Sequence, residues 1–207
     1  MTRRSKRLML LAHCILNQNA VVQPLARTAG ALAGIVQACL EAGVGLLQLP
    51  CPEFTARGPE RAQADRRGYD TPEYRAHCRA LLELIRTQVK AYQQAGYEIV
   101  GLIGMANSPS CGITMTYEDG PRPGRGVFME ELLAMLPELE GRTIEVPRRY
   151  GEDPAVTAAF DREVARFCRG EAQAGKPVLQ QIGDKACDTT RPRGRAVEPG
   201  KADAPHR

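Results

Sequence analysis

The sequence lacks a long hydrophobic run. A membrane-spanning helix needs about 18–20 apolar residues, and no apolar segment here approaches that length. Basic residues at the N-terminus precede an apolar segment at residues 8–12, but this segment is shorter than the roughly 7–15 residues of a signal-peptide core. We therefore expect a cytoplasmic protein without a membrane partner. The seven cysteines, an odd number, favour a reducing compartment in which cysteines serve as ligands, nucleophiles or core residues.

The sequence also lacks the local motifs of several functional classes. It contains no Cys-x-x-Cys, which disfavours a zinc ribbon or a thioredoxin-type redox centre. It contains no Gly-x-Gly-x-x-Gly and no Gly-x₄-Gly-Lys-Ser/Thr, so nucleotide-phosphate binding has no local support. The net charge of +4 is too small to indicate nucleic-acid binding by itself, and no aromatic stacking platform accompanies the basic segments.

What the sequence does contain is an alternation of short apolar runs and helical patterns. Four apolar runs without clean alternation predict buried strands, at residues 7–13, 44–49, 97–105 and 143–146. Helices are predicted at residues 28–42, 72–95, 127–136 and 153–168, the second of them opened by a Thr-Pro-Glu start signal.

The β-α-β-α-β-α-β-α order predicts the fold class and the domain organisation. Residues 1–170 are expected to form a single Rossmann-like α/β domain, with a mostly parallel sheet of about four strands and helices on both faces. Residues 171–207 are predicted to be a C-terminal extension that is largely disordered, since their Pro, Arg and Gly content gives little apolar surface to bury.

Three cysteines fall at equivalent positions in this pattern. Cys14 ends the first predicted strand, Cys51 follows the second, and Cys111 lies in the loop after the third. The carboxyl ends of parallel strands share one edge of an open sheet, where ligand crevices form. We therefore expect these three thiols to meet in space. The other four cysteines are predicted to be core or bystander residues: Cys39, Cys78, Cys168 and Cys187.

The residues alone leave several interpretations of these thiols open. They could be unrelated small residues near strand ends. They could bind zinc together with His13 in a Cys₃His site. One of them could also be a nucleophile with His13 or His77 as its base. The loop around Cys111 is rich in hydroxyls and ends in glycine, which suits backbone donors approaching an anion or a sulfur. Glu53 lies two residues after Cys51, across a proline.

Three segments resemble the 2-thiouracil desulfidase family. They are Leu-Ala-His-Cys-Ile-Leu-Asn at residues 11–17, Leu-Pro-Cys-Pro-Glu at 49–53 and Asn-Ser-Pro-Ser-Cys-Gly at 107–112. The resemblance extends over roughly residues 7–146 and is closest to a divergent, desulfidase-related subgroup.

Two features depart from the family pattern. A Tyr-Asp-Gly segment expected shortly after the first cysteine is missing from residues 17–22, and an arginine-rich stretch at 57–67 replaces a Pro-Arg-Pro loop. Both departures fall where the substrate would be shaped, so the resemblance supports the cofactor more than the identity of the substrate.

The resemblance implies a [4Fe-4S] cluster held by three cysteines, matched here by Cys14, Cys51 and Cys111. The free iron would accept sulfur from a thiolated pyrimidine, nucleoside or nucleotide, whose thiocarbonyl is hydrolysed to a carbonyl without net redox chemistry. Glu53 is the candidate that activates water or carries protons. Ser108 or Ser110 is the candidate hydrogen-bond partner of the substrate.

Two other functions are alternatives. One is a non-catalytic iron–sulfur or zinc protein that senses metal or oxidants or transfers sulfur. The other is a desulfidase acting on thiolated tRNA, with the arginine-rich residues 57–67 and the basic chain ends contacting phosphates.

Overall fold

The predicted α/β architecture is confirmed in a computed structural model, which describes residues 3–171. Four parallel strands form one sheet in the order β2-β1-β3-β6, and two short strands form a separate antiparallel hairpin, β4-β5. The strands are β1 Arg7–Leu11, β2 Gly45–Gln48, β3 Glu98–Met105, β4 Met115–Tyr117, β5 Pro121–Pro123 and β6 Thr143–Val146. The α-helices are α1 His13–Leu16, α2 Ala33–Glu41, α3 Pro52–Arg57, α4 Pro72–Gln94, α5 Val127–Met135 and α6 Pro154–Cys168.

The strand order explains why helices cover both faces of the sheet. The chain moves in one direction from β1 to β2, then in the opposite direction to β3 and on to β6. Right-handed crossovers therefore put α2 on one face and α4 and α5 on the other. The contacts agree, because α2 packs against α6 while α4 packs against α5. β3, buried along all but its first residue, is the centre of the core.

Two predicted boundaries were wrong, and both errors lie near the predicted site. No helix was predicted between the strand at 44–49 and the helix at 72–95, but Pro52 begins the short helix α3, with Cys51 as its N-cap residue. The first-turn proline is a helix-start signal, but six residues are too few to show a helical period. The helix predicted from residue 28 begins only at Ala33, because the preceding segment folds against the turn after β1.

The described residues form the predicted α/β unit up to the end of α6. Residues 172–207, which include Cys187 and nearly all of the predicted C-terminal extension, lie outside the described residues. Among residues 3–171, no helix is long and apolar enough to cross a membrane.

Candidate functional site

The carboxyl edge of the sheet carries all three predicted ligand cysteines. Cys14 lies in α1 just past β1, Cys51 caps α3 just past β2, and Cys111 lies in the loop between β3 and β4. The strands β2, β1 and β3 are direct neighbours in the sheet, so the three turns that follow them are also neighbours. The structure therefore brings these three cysteines to one place.

The surroundings of the three thiols raise the pKa of each of them. Burial raises the pKa of Cys14 to about 12, and the neighbouring Cys51 adds to the increase. Burial also raises the pKa of Cys51. The pKa of Cys111 is raised well above its usual value, mainly by burial and then by Cys14 and Cys51. Burial therefore favours the neutral form of all three thiols, and binding a metal group there would release their protons.

A single metal ion and an iron–sulfur cluster set different requirements on these donors. Within residues 3–171, no three His, Cys, Asp or Glu side chains form a group that could hold one metal ion. A cluster sets a different requirement, because each cysteine bonds a separate iron and its ligands lie farther apart. Three convergent soft thiols fit the chemistry of an iron–sulfur cluster.

The two histidines that were candidate ligands or bases, His13 and His77, each make a polar contact with a group other than a cysteine. The Nδ1 atom of His13 lies 3.3 Å from the carbonyl oxygen of Leu49, while Gln48 Nε2 donates to the carbonyl of His13 at 3.0 Å. These two contacts join the turns that carry Cys14 and Cys51. Burial lowers the pKa of His13. His77 Nε2 lies 2.8 Å from the hydroxyl of Thr55 on α3.

The Glu53 carboxylate lies beside the thiols, and described residues donate hydrogen bonds to one of its two oxygens. Its charge raises the pKa of each of the three cysteines, so the carboxylate lies near all of them. Its Oε2 atom accepts hydrogen bonds from Arg61 at 3.4 Å and from the hydroxyl of Tyr69 at 3.3 Å. In the described part of the chain, no donor bonds to the other oxygen, Oε1. This oxygen is therefore available to a water molecule or a ligand.

Arg61, which pairs with this carboxylate, is itself held in place by further hydrogen bonds. The Arg61 side chain is only 4% exposed, and it also donates to the carbonyl oxygens of Ala20 at 2.8 Å and Gly58 at 3.2 Å. In the sequence, Arg61 is one residue of the arginine-rich stretch at 57–67. Its role depends on a contact with the turn after α1, which no local pattern reveals.

The two predicted serines hold the loop of Cys111. Ser108 Oγ accepts the backbone N–H of Cys111 at 2.9 Å, and the Ser110 hydroxyl, fully buried, lies 2.9 Å from the hydroxyl of Tyr74 on α4. Both hydroxyls thus have partners within the protein, and their contact with a substrate stays a prediction.

Two further elements brace the same loop. The first N–H groups of α5, from Val127 and Phe128, donate to the carbonyls of Pro109 and Ser110, both at 3.0 Å. On the other side, the carboxylate of Glu145 on β6 accepts the N–H of Ile113 at 2.6 Å. The position of Cys111 is therefore determined by α4, α5 and β6 together.

Asn107 was not singled out from the sequence. It lies two residues after the end of β3 and has a left-handed backbone, with φ of 60°. Its side-chain oxygen is buried, and it accepts no hydrogen bond from any residue in the described range. Leaving such an acceptor unpaired costs about 1–3 kcal/mol.

The arginine-rich segment is largely engaged within the protein. Arg66 pairs with Asp70 at 2.6 Å and Glu130 at 2.7 Å, and Arg67 pairs with Asp65 at 3.2 Å. These contacts neutralise much of the charge that was considered for binding tRNA phosphates.

The other described cysteines are buried in the core, as predicted. Cys39 and Cys168 lie between α2 and α6 with their sulfurs 3.7 Å apart. Cys78 lies on the buried face of α4, close enough to contribute to the raised pKa of Cys111.

Comparison with known proteins gives one informative match. Over 147 residues, 70% of this chain and 88% of the relative, the sequence is 37% identical to the uncharacterized protein MJ0003 of Methanocaldococcus jannaschii. No protein-family model matches the chain, and no solved structure matches it.

Proposed function

This chain belongs to the same family as the uncharacterized protein MJ0003 of Methanocaldococcus jannaschii, and we propose that it is an iron–sulfur-dependent desulfidase. In this proposal Cys14, Cys51 and Cys111 hold a [4Fe-4S] cluster, and the enzyme converts the thiocarbonyl of a small thiolated molecule to a carbonyl. One observation carries the proposal: three thiols and one carboxylate share the carboxyl edge of the sheet, in the turns that follow the neighbouring strands β2, β1 and β3.

The reaction needs no oxidant or reductant, since C=S and water give C=O and hydrogen sulfide. A cluster with three protein ligands leaves one iron open, which supplies a Lewis acid with affinity for sulfur. The chain's own task is then to position the thiolated ring and to move protons.

Glu53 is the residue proposed to move those protons. Arg61 and Tyr69 hold its Oε2 atom, which leaves Oε1 to take a proton from the attacking water and to return it to the leaving sulfur. Ser108 and Ser110 are retained as further candidate contacts with the substrate.

The cytoplasm is the proposed site of action. All six cysteines of the described range are free thiols, which is the state that a reducing compartment maintains.

The test is product analysis with protein purified and reconstituted under anaerobic conditions. Incubation with 2-thiouracil or 4-thiouridine in ¹⁸O-labelled water should release sulfide and the carbonyl product in equal amounts, with the label in the new carbonyl. A cluster-loaded protein that releases no sulfide from either compound would contradict the proposal. Such a result would favour a non-catalytic role in sensing or sulfur transfer.

A further inference from the structure

Two of the core cysteines lie in contact with each other, away from the three edge thiols. The sulfurs of Cys39 on α2 and Cys168 on α6 are 3.7 Å apart, and both side chains are fully buried. The two residues are 129 positions apart in the sequence, so their contact is a product of the fold. In a disulfide the sulfurs are about 2.05 Å apart, so bond formation requires a further approach of roughly 1.7 Å.

The packing of α2 against α6 keeps these two thiols together. Gly34 on α2 lies directly against α6, because a Cβ added there would be 2.2 Å from the carboxylate of Asp161. At the C-terminal ends of both helices, the guanidinium of Arg7 donates to the carbonyl of Ala42 at 3.4 Å and to the carbonyl of Cys168. Arg7 begins β1, so the cysteine pair lies toward the amino edge of the sheet, opposite to the edge thiols.

The surroundings of the pair distinguish its two sulfurs. The hydrogen bond between the thiols lowers the pKa of Cys168, burial opposes this effect, and the charges of Arg7 and Arg169 lower the pKa further. The same hydrogen bond and burial raise the pKa of Cys39. Cys168 is therefore the thiol that ionises first, with Cys39 as the neutral hydrogen-bond donor beside it. The thiolate is the form of cysteine that reacts with oxidants.

Cys168 is also the member of the pair that a local opening exposes. It is the last residue of α6, and Arg169 is the C-cap of that helix. The terminal turns of helices open at a much lower free energy than the core of a domain. Opening of this turn gives a small oxidant access to the Cys168 sulfur while the sheet stays intact.

We propose that Cys39 and Cys168 form a reversible oxidation site, at which hydrogen peroxide converts the two thiols into a disulfide that joins α2 to α6. The site goes beyond the proposed desulfidase, since neither cysteine belongs to the proposed cluster. In a reducing compartment a disulfide of this kind is transient and serves redox sensing.

The reaction balances in two steps. The Cys168 thiolate attacks one peroxide oxygen, the O–O bond breaks, and the products are a sulfenic acid on Cys168 and hydroxide, which takes up the proton that Cys168 lost. The Cys39 sulfur then attacks the Cys168 sulfur, and the sulfenic oxygen leaves as water with the Cys39 proton. In total the two thiols lose two electrons and two protons, and the peroxide becomes two water molecules. A thiol reductant reverses the oxidation by thiol–disulfide exchange.

The experiment is disulfide mapping of the full-length protein, with and without its reconstituted cluster, after treatment with hydrogen peroxide and alkylation of the remaining thiols. Combined cleavage after Lys or Arg and after Glu places Cys39 in the peptide 28–41 and Cys168 in the peptide 167–169. These two peptides should be recovered as one species, lighter than their sum by about 2 Da because two hydrogens are lost. Dithiothreitol should separate them again.

Three variants complete the design. Cys39→Ser and Cys168→Ser should each lose the cross-link, whereas Cys78→Ser, which removes another buried thiol, should keep it. Dimedone, which traps sulfenic acids, tests the order of the steps. Cys39→Ser should accumulate at least about 10-fold more adduct on Cys168 than Cys168→Ser accumulates on Cys39. Alanine takes the place of serine if the buried hydroxyl prevents folding, and the wild-type cross-link requires no variant.

Recovery of both peptides in alkylated form after the peroxide has been consumed would overturn the inference. Bonding of Cys39 or Cys168 to a different cysteine in the folded protein would overturn it as well. Dimedone labelling that favours Cys39 would contradict the assignment of Cys168 as the attacking thiol. Failure of the proposed function is a separate outcome, because a protein that releases no sulfide and still forms this disulfide confirms the oxidation site.

Discussion

At the scale of single residues, Glu53 is the group whose surroundings are most informative. Here Arg61 and Tyr69 engage one oxygen, and no described residue donates to the other. The same contacts explain why a base at this position would hold a fixed orientation.

Replacing Glu53 by Gln should lower turnover by about 10²–10⁴-fold, because the amide keeps the size of the side chain but removes the basic oxygen. The cluster content should not change. The measurement is single-turnover sulfide release from a thiolated pyrimidine, with iron content verified for each variant. Glu60→Gln is the matched control, since Glu60 is exposed in the same segment. Near-normal release by Glu53→Gln would remove this residue from the mechanism.

Ser110 allows a structural role to be separated from a catalytic one. Ser110→Ala leaves the buried hydroxyl of Tyr74 without its partner, so the free energy of unfolding should fall by about 1–3 kcal/mol. The double variant Ser110→Ala/Tyr74→Phe should lose less than the sum of the single changes. Denaturant unfolding measures both effects. Unchanged stability together with lost activity would instead identify Ser110 as a substrate contact.

At the scale of elements, the sequence predicted the strands well and the site residues only in part. Buried parallel strands are continuous apolar runs, which is why residues 97–105 were assigned correctly to β3, Glu98–Met105. The convergence of the cysteines followed from the shared edge of parallel strands. Arg61 could not be found in the same way, because its role depends on a hydrogen bond to the carbonyl of Ala20, 41 residues away in the sequence.

The packing of α5 against the Cys111 loop is the most sensitive contact between elements. A Cβ added at Gly126 would lie 2.4 Å from the carbonyl carbon of Ser110, so either the helix or the loop must move. Gly126→Ala should therefore lower the free energy of unfolding by about 1–3 kcal/mol and reduce cluster content. Gly30→Ala is the control, since nothing lies within 4 Å of a Cβ added there. Equal stability and iron content in the two variants would show that the loop tolerates this displacement.

At the scale of the whole molecule, the parallel sheet explains how distant residues form one site. Strand order puts the turns after β2, β1 and β3 side by side, and each turn contributes one thiol. The core cysteines Cys39 and Cys168 lie between α2 and α6 and provide an internal reference for substitutions that do not touch this edge.

The most direct test of this account is the iron and acid-labile sulfide content of the anaerobically reconstituted protein, measured with its visible spectrum. The wild type, Cys39→Ser and Cys168→Ser should each bind about four irons and four sulfides per chain, the composition of a [4Fe-4S] cluster. Changing any one of the three edge cysteines, Cys14, Cys51 or Cys111, to Ser should abolish stable binding. Full iron content without Cys111, or tetrahedral zinc that reconstitution cannot replace, would contradict the assignment.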